Sequence, residues 1–131
     1  MNFRLFSHKH NLYTNSPSWP SNQRTWSEFV LSPSGGVLEI IHYDAHNSSV
    51  ETCDSRNYIV EPWTGYFDSA GKKIYRGDLL EFSIFGLKNE VKWSEGSFVL
   101  ADLTEEHCDL PMSHGKYFSI VGNVHGVEYS D

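Results

Sequence analysis

At 131 residues and a formal net charge of −7, the chain has room for one hydrophobic core and no excess of basic side chains to grip a phosphate backbone. Aromatic residues make up 15% of it, enough to build a core from Phe, Tyr and Trp and to exclude a wholly disordered chain. The charge is uneven: residues 1–40 sum to +1, 41–80 to −2 and 81–131 to −6. Nucleic acid is therefore a disfavoured partner, and a basic surface would be steered towards the C-terminal part. The same charge also serves simple solubility.

Cys53 and Cys108 are too few for a disulfide scaffold. The N-terminus lacks the basic, apolar and small-residue order of a signal peptide. No apolar stretch approaches the roughly 20 residues of a membrane helix. The expectation is a cytoplasmic chain with reduced thiols and no membrane partner.

In chain order, the period is two almost throughout. Asn2–Ser7 reads as a first strand, and residues 8–25 as an irregular segment with Trp19 between Pro17 and Pro20. Glu28–Leu31 and Val37–Tyr43 flank a Pro-Ser-Gly-Gly turn, and Ala45–Ser49 reads as a further polar turn. Asn57–Val60 and Trp63–Phe67 read as two short strands separated by Pro62, which cannot donate to a ladder. Asp68-Ser69-Ala70-Gly71 is a turn, and Gly77-Asp78 a sharp entry into Leu79–Phe85. Glu90–Trp93 and Ser97–Asp102 form a hairpin whose buried face would hold Val91, Trp93, Phe98 and Leu100, with Glu90 and Lys92 in water. Leu103–Gly115 is acidic and irregular, with one helical turn expected near Thr104–His107. Tyr117–Val121 and Val124–Val127 close the chain as strands. The expected fold is mainly β, a small curled antiparallel sheet or SH3-like barrel with a looser N-terminal lobe. One domain spans 1–131, with 1–56 as N-terminal strands and loops and 57–131 as the β core.

The run Trp63–Leu79, with Thr64-Gly65, Asp68-x-x-Gly71, Ile74-Tyr75 and Gly77-Asp78 in order and without gaps, resembles the central signature of the YopX family. Val91–Trp93 followed by Gly96-Ser97-Phe98 is similar to the family's second hairpin, and Val121-Gly122-Asn123-Val124 to its closing element. Phe3-Arg4 and the Lys9–Tyr13 region resemble its opening strand and turn. After the last strand the chain reads His125-Gly126-Val127-Glu128, where the family often continues Tyr-Glu-Asn. The resemblance implies a phage- or prophage-encoded, mainly β protein and leaves a homo-oligomer open. It carries no catalytic residues and implies no cofactor.

Read physically, the signature is framework. Ile74, Leu79 and Phe82 anchor a tight corner; Gly77 permits the turn, the Asp78 carboxylate accepts backbone N–H groups, and Thr64-Gly65 lets another backbone approach closely. Candidate chemistry elsewhere is sparse. His107, Cys108 and His114, with Cys53 as a fourth, supply zinc-type ligands in a spacing that fits no established finger or ribbon. Cys108 beside His107 is sequence adjacency only, no Gly-x-Ser-x-Gly element occurs, and Ser34-Gly35-Gly36 lacks the Gly-Lys-Ser/Thr ending of a phosphate loop. Glu105, Glu106 and Asp109 could serve acid–base work, a solvated loop or a docking surface.

Among the aromatic residues Tyr13, Trp19, Trp26, Trp63 and Tyr66, Trp19 sits in a polar loop and is a core plug or a contact residue. The leading expectation is a non-enzymatic accessory protein that binds a host or phage protein through Trp19, Glu105, Glu106 and Asp109. The rivals are a host-defence antagonist and, last, a metal or cysteine enzyme. The antagonist would mimic nucleic acid or sequester a small nucleotide in a pocket of Trp63, Tyr66 and Arg76, with Arg56, Lys72 or Lys73 as further cations.

Overall fold

Alternating side chains and glycine-bearing turns generate a chain of short antiparallel strands, as a computed structural model shows for residues 2–20, 26–82, 86–103 and 109–129. The strands are β1 (Phe3–Ser7), β2 (Leu12–Tyr13), β3 (Trp26–Leu31), β4 (Val37–His42), β5 (Ser48–Thr52), β6 (Tyr58–Phe67), β7 (Lys73–Tyr75), β8 (Asp78–Phe82), β9 (Leu87–Ser94), β10 (Ser97–Asp102), β11 (Leu110–Pro111) and β12 (Ser119–Asn123). They form three sheets, ordered β2-β1-β6-β7, β3-β4-β5 and β11-β10-β9-β8-β12. The protein is mainly β, with a curled antiparallel half-barrel sheet. Two compact units are present, Met1–Arg4 with Val60–Asp131, and Leu5–Ile59.

In the larger unit, Ile74, Leu80, Val91, Leu100, Met112 and Phe118 form the buried cluster, flanked by Phe82, Phe98, Leu110 and Ile120. The β9–β10 register pairs Leu100 with Val91 and Phe98 with Trp93, so the expected hairpin face exists. Its two ends differ: Val91 and Leu100 are wholly buried, whereas Trp93 is 54% exposed. Trp93 lies next to the turn, past the end of the cluster, and packs edge-on to Phe98 at 4.8 Å. The acidic segment ends in a 3-10 helix, Met112–Tyr117, which buries Met112 and Gly115. The helical turn expected at Thr104–His107 lies outside the described residues.

Several expectations change. β6 is continuous through Pro62. That residue lies just before the first β6–β7 pair, Trp63 with Tyr75, so its missing N–H falls at the end of that ladder, and its carbonyl accepts the Arg76 N–H at 3.0 Å. At Gly65, φ is +88° and nothing lies within 4 Å of where a Cβ would be, so this glycine serves backbone handedness and not close approach. Val124–Val127 is a turn and not a strand: the Asn123 side chain accepts the His125 N–H at 3.1 Å and donates to the Val127 carbonyl at 2.7 Å. Those backbone groups are thereby withdrawn from any ladder.

The smaller unit buries Leu5, Phe6, Tyr13 and Val37. Phe6 meets Tyr13 edge-on at 5.5 Å, and the three-stranded sheet packs Phe29 against Tyr58 at 5.9 Å. β5 is an edge strand, mostly exposed, so the apolar alternation that reveals a strand in sequence is missing from it.

Leu100 is wholly buried in the centre of the cluster. Leu100→Ala is expected to cost about 2–5 kcal/mol in urea unfolding, through lost transfer energy and the cavity left behind.

Candidate functional site

Three features of the larger unit could carry function: a buried ion cluster, a cleft over it and an aromatic groove. The cluster begins with Arg4 at the start of β1. Its Nε donates to Glu61 Oε1 at 2.7 Å, and its Nη2 lies 2.8 Å from Asp78 Oδ1. The same Nη2 donates to the Arg76 carbonyl at 3.4 Å. All three charged residues are 1–2% exposed. Asp78 Oδ2 accepts the Tyr75 N–H at 2.8 Å, as its place beside a sharp turn suggests. The second oxygen of Glu61 lies 2.9 Å from His125 Nε2. Arg4 also lies over the rings of Tyr75 and Tyr129, at 4.9 and 4.7 Å.

Gly77 makes this arrangement possible. Its φ is +90°, and a Cβ there would sit 2.5 Å from Glu61 Oε2 and 3.4 Å from a Val124 methyl. Because Glu61 is held by Arg4 and His125, that oxygen has nowhere to go. The Gly77-Asp78 pair is therefore needed twice over, once for the turn and once for the room beside the carboxylate.

Burial pushes the Asp78 carboxyl up from 3.8 to about 6, against the opposing pull of Arg4 and the Tyr75 N–H. The folded state then holds the Asp78 proton more tightly than the unfolded chain does. This residue's contribution to stability is fully present below 3.8 and is lost as pH rises through about 6.

Above the cluster lies a cleft of about 1060 Å³, with Arg4 and Asp78 at its floor. One wall carries Phe67, Gly71, Lys72 and Lys73, and the other Ile120, Val121 and Gly122; Gly126–Tyr129 line it from the C-terminal side. Asp68, 6% exposed, ties the two walls together. Its Oδ1 accepts the N–H groups of Ala70 and Lys72 at 2.9 and 2.8 Å, and its Oδ2 accepts that of Ile120 at 3.2 Å.

The groove, about 540 Å³, is formed by Tyr66, Trp93, Phe98, Val99, Leu110, Pro111 and Met112, with Asp109 at its edge. Tyr66 and Trp93 are 44% and 54% exposed. Pro111 occupies the outer strand β11, where it withholds an N–H from any added strand.

The residues singled out from sequence are distributed as follows. Tyr66 and Asp109 meet in the groove. Trp63 is half-buried: its indole N–H donates to the Tyr66 carbonyl at 3.0 Å, and its ring meets Phe67 and the Lys73 ammonium. Arg76 is exposed and lines neither cavity; its backbone, not its guanidinium, joins the cluster. Trp19 is half-buried in the smaller unit, edge-on to His10 at 4.7 Å and to Phe29 at 5.8 Å. Tyr13 is wholly buried. Glu105, Glu106, His107 and Cys108 lie outside the described residues. His114 is exposed beside Tyr117, and among the described residues no group of His, Cys, Asp or Glu is placed to hold a metal ion. Burial and then the charge of Glu39 push the Cys53 thiol up, away from the thiolate a nucleophile needs.

Sequence reasoning treated Arg4 as part of a strand and passed over Glu61 and His125. The available signal was the Arg at a nominally buried strand position, since a charge there demands buried partners.

Arg4→Met leaves Glu61 and Asp78 buried without their guanidinium and is expected to cost about 3–5 kcal/mol in denaturant unfolding. Asp78→Asn leaves Arg4 balanced by Glu61 and should cost less, about 1–3 kcal/mol at neutral pH. The Asn variant should also gain on the parent as pH rises from 3.8 to about 6, and hold a constant difference above that, in parallel unfolding curves.

None of the curated proteins matches the chain. The sequence pattern described as YopX protein matches residues 2–127. That span takes in Arg4, Glu61, Gly77, Asp78 and His125, and the chain belongs to the YopX family.

Proposed function

We propose that the chain is a non-enzymatic accessory protein, phage- or prophage-encoded and cytoplasmic, which acts by binding an extended segment of a host or phage protein in the Tyr66–Trp93 groove. The observation that carries this reading is the exposure of Tyr66 and Trp93 in one apolar groove, next to Phe98, Leu110 and Pro111. Tyr and Trp give large contact area at small entropic cost and dominate binding hot spots. Asp109 is the one charged residue among the described groove residues, so a segment presenting a basic residue beside an apolar one fits. Pro111 at the sheet edge favours recognition by side chains over strand addition.

The groove stands on rigid elements. The β9–β10 ladder, from Ser94–Ser97 to Asn89–Asp102, fixes Trp93 and Phe98, and the 3-10 helix fixes Met112. Preorganisation of this kind lowers the ordering cost of association. The chemistry that would argue for an enzyme instead, a base poised beside a nucleophile, is not found among the described groove residues.

Tyr66→Ala with Trp93→Ala should unfold with the parent, within about 1 kcal/mol, because both side chains are half in water. Affinity capture from the host lysate, quantified by mass spectrometry, should yield a partner that the double variant retains at least tenfold less well. Trp26→Ala, a comparably exposed aromatic in the other unit, should retain it. Equal capture by the groove variant and the parent would remove the groove from the binding role.

A further inference from the structure

Both backbone polar groups of Tyr66 are spent within the protein. Its N–H donates to Thr64 Oγ1 at 3.3 Å, and its carbonyl accepts the Trp63 indole N–H at 3.0 Å. The half-exposed phenol ring and its hydroxyl are what Tyr66 adds to the groove. Trp93 and Phe98 stand directly across the β9–β10 ladder, with ring centres 4.8 Å apart and planes at 79°. Two rings at right angles make a corner, and one of them carries an indole N–H. Among the described residues, none accepts a hydrogen bond from that indole N–H or from the Tyr66 hydroxyl.

A segment that fits must bring apolar surface to the rings and backbone carbonyls to the two donors. An α-helix lacks the second, because its carbonyls are closed in its own i to i−4 hydrogen bonds. A β-strand has open carbonyls but needs a ladder partner. The strand that lines the groove, β11, is two residues long and one of them is Pro111. A polyproline II helix makes no internal hydrogen bonds, so every carbonyl is open, and it repeats its side chains every three residues. Its prolines also carry no N–H to strand against an aromatic face. Charge adds a further demand. Asp109 is exposed and lines the groove, Glu95 is exposed in the turn between Trp93 and Ser97, and residues 81–131 sum to −6. Lys92 does not offset them there, since strand alternation sends it to the face of β9 opposite Trp93. A basic residue in the segment is therefore complementary.

We propose that the groove binds a polyproline II segment, with prolines against Tyr66, Trp93 and Phe98 and an Arg or Lys beside Asp109. This assignment rests on the groove being the binding surface and names the chemistry of what it holds. Aromatic-lined grooves suit such segments because the conformation exists before binding and little chain entropy is lost.

The test is isothermal titration of the full chain with a set of short capped peptides, each with proline at every third position and one arginine at a varied distance. Matched sets replace every proline by alanine, or the arginine by alanine. At least one proline peptide with arginine should bind with Kd below about 1 mM. Its counterpart with alanine for proline should bind at least tenfold more weakly. Tyr66→Ala with Trp93→Ala should weaken the proline peptide at least tenfold, with the far-ultraviolet circular dichroism unchanged. Asp109→Asn should weaken the arginine-bearing peptide about threefold and leave its arginine-free counterpart unchanged. Absence of heat with every proline peptide would overturn the proposal. Equal binding by the alanine counterparts would also overturn it, and the double variant then separates two cases. Loss of that binding in the double variant keeps the groove as the binding surface and removes only the polyproline assignment; unchanged binding removes both. Should the double variant fail to fold, Asp109→Asn decides, and parental affinity of that variant for the arginine-bearing peptide overturns the proposal.

Discussion

One buried guanidinium organises the larger unit. Arg4 is buried and meets Glu61 and Asp78, with the Tyr75 and Tyr129 rings beside it. Desolvating three charges costs several kcal/mol for each, and their mutual attraction recovers it only where every lone pair and proton is matched. Here the matching is close: Asp78 takes the Tyr75 N–H, Glu61 meets His125, and Arg4 reaches the Arg76 carbonyl. Such a cluster adds little net stability over an apolar core of the same volume. What it does is penalise any arrangement that separates its members.

That penalty explains how distant parts of the chain are held to one geometry. Arg4 belongs to the first strand, Glu61 to β6, Asp78 to the start of β8 and His125 to the final turn. The family's opening Phe3-Arg4, its central Gly77-Asp78 and the region after its closing Gly122-Asn123 are therefore parts of a single contact network. The variant ending, His125-Gly126-Val127-Glu128, keeps that network intact: His125 supplies the partner for Glu61, and Asn123 folds the segment back onto Val127. The cleft depends on this frame directly, because Arg4 and Asp78 line it.

The two candidate sites divide along physical lines. The groove offers exposed aromatic area beside the β9–β10 hairpin and one carboxylate among its described residues, the features on which the proposed recognition of a protein segment rests. The cleft is larger, and carries cations and a bulge. Neither contains a nucleophile beside a base among its described residues.

Much of the fold was legible in the residues. Period-two alternation and turn glycines placed β3, β4, β8 and the β9–β10 hairpin, because each depends on a few neighbouring side chains. β5 escaped because an exposed edge strand needs no alternation, and Val124–Val127 misled because the Asn123 side chain, not a partner strand, takes its backbone groups. Of the candidate residues, Tyr66 and Asp109 proved to share a groove, but Trp93, Phe98 and Pro111, which build it, were read as core or loop. The sequence alone determined a mainly β chain of the YopX type with a Gly-Asp corner at its centre. Only the tertiary structure decided that Arg4, Glu61, Asp78 and His125 are one buried cluster, and which aromatics stay in water. Strand and turn preferences are written over a few adjacent residues, whereas the environment of a charge or a ring is set by groups tens of residues away.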